Sequence, residues 1–222
     1  MTANTSAREE ILARIRRALA DVPKDETEPS RGYLREHGGH TEAERIELLA
    51  ENLAEYRAHV HRTTEAELPA TIARLLAEQG STSVAIPEAL PEAWLTKLAP
   101  DITRVPDSAE LTPRRLDEIE SVISACALAI AETGTIILDG GPGQGRRLLT
   151  LVPDHHICVV RVPEQVVGSV PQAFEREDLD PARPQTWIAG PSATSDIELD
   201  RVEGVHGPRR LDVVLVGDQL VS

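Results

Sequence analysis

Aromatic side chains are almost missing from this sequence: one Phe, two Trp and two Tyr make up 2% of its 222 residues. That scarcity excludes a stacking platform for single-stranded nucleic acid, which needs exposed rings in a row. It also leaves Ala, Val, Leu and Ile to build the core. Lysine is scarcer still, with Lys24 and Lys97 the only two. A formal net charge of −14 with no basic cluster repels phosphate backbones, so no nucleic acid is expected as a partner. Cys126 and Cys158 are the only cysteines, lie far apart, and each sits inside an apolar run. The expectation is two reduced, buried thiols in a cytoplasmic protein. With no CxxC, this chain has no thiolate framework for an iron–sulfur cluster, and no cofactor is expected in it. No run approaches the ~20 apolar residues of a membrane span, and the charged first twenty residues do not form a secretory signal.

What is present alternates. Ser6 and Glu9 have the spacing of a capping box, and Ile11, Leu12, Ile15 and Leu19 behind them fall on one helical face. Residues 21–40 carry Pro23, Pro29, Gly32, Gly38 and Gly39 among charges and read as an exposed linker. The domain division is therefore 1–40, an amphipathic helix and linker, and 41–222, an α/β domain. Such a helix can pack on its own domain, on a second copy in a homo-oligomer, or on a partner. Thr41 and Glu44 repeat the capping box ahead of Ile46, Leu49 and Leu53. A short strand is expected at residues 58–63, with Val60 inward and His59 and His61 outward. Pro69 opens a helix that Gly80 stops. Residues 83–86 read as a strand, 91–98 as a short helix, 102–105 as a strand, and Thr112-Pro113 as a helix start. Strand and helix in turn predict an α/β fold with three layers, α/β/α, around a mainly parallel sheet, plus N-terminal helices. His37 with His40, and His59 with His61, lack a third ligand at metal spacing, so no metal is expected.

The informative stretch is Ala127–Thr150. Val122 to Ile130 is an uncharged run suited to a strand buried on both faces. Glu132 arrives where it stops, within Glu132-Thr133-Gly134-Thr135, so one carboxylate and two hydroxyls stand at the lip of a core. In open α/β sheets ligands sit at the carboxyl ends of strands, so chemistry is expected there; an ordinary strand turn is the other reading. The loop from Asp139 to Gly145 is glycine-rich, but its order fits neither GxGxxG nor a P-loop. Its open alternatives are free amides that, with Arg146 and Arg147, line a small anion at the start of a following helix, or a bare connection. His156 precedes a buried strand and suits either acid/base work or a structural hydrogen bond, whereas His155 points the other way. Gly190-Pro191 ends another strand, and Ser192, Thr194 and Asp196 follow around an expected helical turn. That turn fits a carboxylate or phosphate, or a plain N-cap. His206 and Gly207 precede the last strand, Leu211 to Val216.

Four stretches in this order, AIAETGT, HHICVV, AGPSATSDIE and GVHGPRRLDVVLV, resemble the lactate utilization protein C family, the LUD domain, over roughly Glu42 to the C-terminus. The resemblance implies a fold like that of ribose-5-phosphate isomerase and the CoA transferases. It also implies a component of bacterial L-lactate oxidation to pyruvate that works with iron–sulfur subunits carrying the clusters. His156-Ile157 matches the family's His-Ile. On this reading Glu132 and His156 are the candidate catalytic residues, and a small carboxylate or phosphate meets Thr133, Gly134, Thr135, Gly190, Pro191, Ser192, Thr194, Asp196, His206 and Gly207 at the carboxyl edge of the sheet. Two alternatives stay open. One is a CoA-transferase-like or isomerase-like enzyme using Glu132 as nucleophile or base; the other is a non-catalytic assembly or regulatory subunit engaged through the N-terminal helix.

Overall fold

The structure, a computed structural model, describes residues 7–20, 32, 34–179, 182–194, 202–203 and 207–218. The chain divides into two units, Met1–Tyr33 and Leu34–Ser222. The first holds helix α1 (Ala7–Ala18), with Glu9 and Glu10 in its first turn and Arg16 and Arg17 in its last, which suits both ends of the helix dipole. Ser6, its expected cap, lies outside the described residues.

The second unit begins with the expected capping box. The Thr41 hydroxyl accepts from the Glu44 amide, and the Glu44 carboxylate accepts from the Thr41 amide at 2.7 Å, opening α2 (Glu42–Glu55). Strand β1 (His59–Thr63), helix α3 (Leu68–Gln79) with Pro69 in its first turn, and β2 (Ser83–Ile86) follow. The stretch expected as a helix at 91–98 forms only a 3-10 turn, Glu92–Leu95, before β3 (Thr103–Pro106). Thr112 caps α4 (Pro113–Leu116), a single turn, and β4 (Ser121–Ala125) follows.

Here the structure corrects the sequence reading. The apolar run is two strands: β4 belongs to one sheet, and β5 (Leu128–Ile130) to another. The handover is held by hydrogen bonds. The Ala125 amide donates to Gly143 O at 2.8 Å, the Ala127 amide to Ile137 O at 2.9 Å, and the Gln165 amide group to Cys126 O at 2.7 Å. Hydropathy is blind to this change because both strands are buried. The 3-10 turn Ala131–Thr133 and β6 (Thr135–Leu138) follow, then β7 (His155–Arg161) and β8 (Val166–Val167). Next come α5 (Val170–Phe174), β9 (Thr186–Ile188), β10 (Ala193–Thr194), β11 (Val202–Glu203) and β12 (Arg210–Val216).

The expected parallel sheet is present, with six strands in the order β1-β12-β7-β4-β2-β3 and every pair parallel. One face packs on α3 and the Glu92–Leu95 turn: Leu68, Ile72, Leu75 and Leu76 meet Ile123, Ile157, Val159 and Val214. The other face packs on α2 and the second sheet: Leu49 and Leu53 meet Cys158, Val160, Val213, Ala129 and Ile136. The second sheet runs β8-β5-β6-β9, with β6 antiparallel to both its neighbours. Both cysteines are free and buried, as expected, and the Cys158 thiol together with burial pushes the Cys126 thiol well above the usual thiol range. Among the described residues no helix is long and apolar enough to cross a membrane.

The amino edge of the parallel sheet carries a buried polar chain. The Ser81 and Ser121 hydroxyls meet at 2.5 Å, Ser121 Oγ lies 2.7 Å from His155 Nδ1, and His155 Nε2 lies 2.8 Å from Asp212 Oδ2. Asp212 Oδ1 takes His61 Nε2 at 2.6 Å, and Arg210 Nε donates to Oδ2 at 2.6 Å. His61, expected to face outward, is instead a partner of this carboxylate. The chain stitches β1, β12, β7 and β4 together. Its Ser-His-Asp order resembles a nucleophile triad, but Ser121, His155 and Asp212 are all 0% exposed, so no substrate reaches the hydroxyl.

Candidate functional site

His156, the second residue of β7, points to the sheet face opposite His155. It is 1% exposed, and its Nε2 lies 2.7 Å from the Ser124 hydroxyl. Its Nδ1 is buried and has no hydrogen-bond partner among the described residues. Buried polar atoms are nearly always paired, so an orphan of this kind marks a place where a partner belongs. Burial, aided by the neighbouring His155, pushes the imidazole down to about 3, and it is therefore neutral at physiological pH.

His156 lines a cavity of about 240 Å³ together with Thr150, Gly190, Pro191, Ser192 and Gly207. The cavity lies where the amino ends of β7 and β12 meet the carboxyl end of β9. Five of the residues singled out in the sequence therefore converge, but the expected carboxyl edge of the parallel sheet is not where they do so. Glycine is required at Gly190, and the space at Gly207 is tight. Gly190 has φ +80, and a Cβ there would stand 2.3 Å from Tyr56 O at the end of α2; a Cβ on Gly207 would press on Ser192 Cβ at 3.3 Å. The Ser192 amide donates to Pro208 O at 2.8 Å, tying this turn to the approach of β12. In place of the expected helical turn, Ala193–Thr194 pairs with Val202–Glu203 as a small antiparallel ladder. Asp196 and His206 lie outside the described residues.

Glu132 goes elsewhere. It follows β5 in the second sheet and so is not at the edge of the parallel one. That edge of the second sheet also bears Gly190, since β5 and β9 run the same way, but β6 stands between them. Glu132 Oε1 accepts from the Val170 amide at 3.1 Å, while Oε2 meets His37 Nδ1 at 2.9 Å. Thr133 and Thr135 bond to each other at 2.8 Å. Gly134, at φ +57, lies against the Asn52 backbone, and the Asn52 side chain donates to Ala131 O at 2.8 Å. The Glu-Thr-Gly-Thr turn is thus a junction with α2 and the start of α5. None of its four residues lines the His156 cavity.

The glycine loop borders a larger cavity of about 590 Å³, lined also by Glu88, Asp107, Arg146, Arg147, Thr150 and Thr186. No helix follows the loop, and several of its amides are engaged within the fold, against the free-amide alternative. The Asp139 amide donates to the Gln144 side chain, the Gly141 amide to Asp139 Oδ1, and the Gly143 amide to Glu88 O. Arg146 closes on Asp107 at 2.6 and 2.8 Å. Among the described residues no group of three or more His, Cys, Asp or Glu side chains is placed to hold a metal ion. Sequence reasoning missed Ser124, Thr150 and Thr186; a serine inside a buried strand beside a histidine-led strand was the available signal for Ser124.

The LUD domain signature matches residues 46–216 of this chain. A Deinococcus radiodurans protein named lactate utilization protein C is 46% identical over 177 residues, which cover 79% of this chain and 81% of that one. A lactate utilization protein C of a Geobacillus species is 26% identical over 82% of this chain and 81% of its own length. The crystal structure of a DUF162 family protein from Deinococcus radiodurans superposes with a TM-score of 0.67 at 36% identity, covering 80% of this chain and 99% of that chain.

Proposed function

Because the chain belongs to the LUD domain family, we propose that it is a component of a bacterial L-lactate utilization system, acting in the oxidation of lactate to pyruvate beside separate iron–sulfur subunits. The observation that carries this reading is the 46% identity, over about four-fifths of both chains, to a protein bearing the name lactate utilization protein C. Two supports come from the chain itself. Its two cysteines are both buried and cannot provide the four thiolates of a cluster, which fits clusters carried on separate subunits. The cavity around His156 is of a size for a small metabolite, and the cavity beside it is lined by Arg146 and Arg147 together with Glu88, Asp107 and Asp139.

The test is genetic. Deletion of the coding sequence from its native host should abolish or severely slow growth on L-lactate as sole carbon source, leave growth on glucose unchanged, and be reversed by the intact chain. Unimpaired growth of the deletion strain on L-lactate contradicts the proposal.

A further inference from the structure

Helix α1 carries an apolar stripe that is left open. Ile11, Ile15 and Leu19 recur at four-residue steps on one face and are 57%, 49% and 57% exposed. The helical bonding runs on to Leu19, whose amide donates to Ile15 O at 3.0 Å. None of the twelve residues of the helix is buried, and among the described residues Ile11 and Ile15 are the only exposed isoleucines. The LUD signature begins at residue 46, so α1 lies outside it. A helix of this length is marginal in water by itself, and most helical stability comes from packing an apolar face. The stripe therefore calls for a partner.

The two ends of the helix point to the kind of partner. Glu9 and Glu10 stand in the first turn, and Arg16 and Arg17 in the last. Two copies of α1 laid antiparallel bring the acidic turn of each beside the basic turn of the other, with Ile11 and Ile15 along the seam. A parallel pair would set like charges side by side. Glu10 also pairs with Arg14 at 2.7 Å, but both side chains are more than half exposed, so that contact is weak and competes little. An anionic lipid surface would suit the arginines but would repel the two glutamates and a chain of net charge −14.

We infer that α1 is a self-association element: two copies of this chain join through antiparallel α1 helices, with Ile11, Ile15 and Leu19 as the seam. The helix is about 18 Å long, so the contact falls short of the ~1,200 Å² at which stable interfaces begin. The pair is therefore weak, with a Kd on the order of 0.1 mM, and it assembles and separates with concentration. The inference stands on the helix alone and is independent of the lactate reading.

Sedimentation equilibrium of the full chain in low-salt buffer, from micromolar to about 0.5 mM, tests it directly. The apparent mass should climb from 24.1 kDa toward twice that value. Ile15→Asp, at an exposed position, should weaken the association about tenfold or more. Arg16→Glu/Arg17→Glu and Glu9→Arg/Glu10→Arg should each weaken self-association about tenfold, and an equimolar mixture of the two should recover it. That recovery separates a lost pairing from a merely unfolded helix. A monomer at every concentration overturns the inference, as does a dimer that Ile15→Asp leaves unchanged, or a loss that mixing does not restore. Vesicles of phosphatidylcholine with phosphatidylglycerol complete the test. Binding to them that needs Ile15, by a chain that stays monomeric, assigns the stripe to a lipid surface and also overturns the inference.

Discussion

Asp212→Ala should lower the stability of the folded chain by roughly 3–5 kcal/mol, because it leaves buried cationic and imidazole groups without their carboxylate. Asp212 is 0% exposed and accepts from His155, His61 and Arg210 at 2.8, 2.6 and 2.6 Å. Its loss unpairs side chains on three strands at once, β1, β7 and β12. In a urea titration the midpoint should fall without a change in slope, and in a thermal scan the loss corresponds to roughly 10 °C for a chain of this size. Asp154→Ala is the contrast: Asp154 pairs with Arg209 at 2.9 Å, but both are more than half exposed, so the change should stay within about 0.5 kcal/mol. If Asp212→Ala costs no more than Asp154→Ala, the polar chain does not hold the sheet together. The pH dependence follows from the same contacts. Burial alone would raise the Asp212 carboxyl, but the hydrogen bonds from His155, His61 and Arg210 outweigh it and hold it well below the usual carboxylate range. A depressed acid contributes its stability in full above its unfolded value, about pH 4, and loses it as the pH falls below that.

His156 should produce a separate loss at milder acidity. Its folded value of about 3 lies below the ordinary histidine value of 6.5, so the unfolded chain binds the extra proton first. Stability from this group is complete above pH 6.5 and falls as the pH drops from there toward 3. By pH 4.5 the loss should reach roughly 2–3 kcal/mol, at about 1.4 kcal/mol per pH unit. The window precedes that of Asp212, so the two contributions separate on one pH axis. A double variant, Ser124→Ala with His156→Leu, removes the titrating group and also its hydroxyl partner, which avoids leaving an unpaired Ser124. Urea midpoints from pH 7.5 to 4.5 should fall less for this variant than for the wild type. Parallel curves would mean that His156 is not buried in its neutral form.

The helices and central strands of this fold were legible wherever a local rule forces them. Thr41 and Glu44 announce α2, Pro69 and Gly80 bracket α3, and the uninterrupted runs of β7 and β12 leave no other reading than buried strands. The break between β4 and β5 was not legible, because burial on both sides of the break is continuous and only the Gly143, Ile137 and Gln165 contacts reveal it. The same difficulty misplaced Glu132, whose role depends on which sheet the preceding strand joins. For the site, His156, Gly190, Pro191, Ser192 and Gly207 were found from their residue types and come together. The edge they occupy was readable in principle. A histidine that leads into a parallel strand, and a glycine-proline pair that leads into another, must stand at amino ends. The Ser121-His155-Asp212 chain carries no local pattern, since its members are separated by 34 and 57 residues and meet only through strand order.

The central claim is that ligand recognition belongs to the cavity at His156 and not to the Glu132 turn. Thermal unfolding with and without L-lactate, on the wild type, Glu132→Gln and the Ser124→Ala/His156→Leu variant, tests it most directly, since a ligand that binds only the folded state raises the midpoint by mass action. The account predicts a lactate-dependent rise in the wild type and in Glu132→Gln, and none in the double variant. A rise that vanishes in Glu132→Gln and persists in the double variant would contradict it.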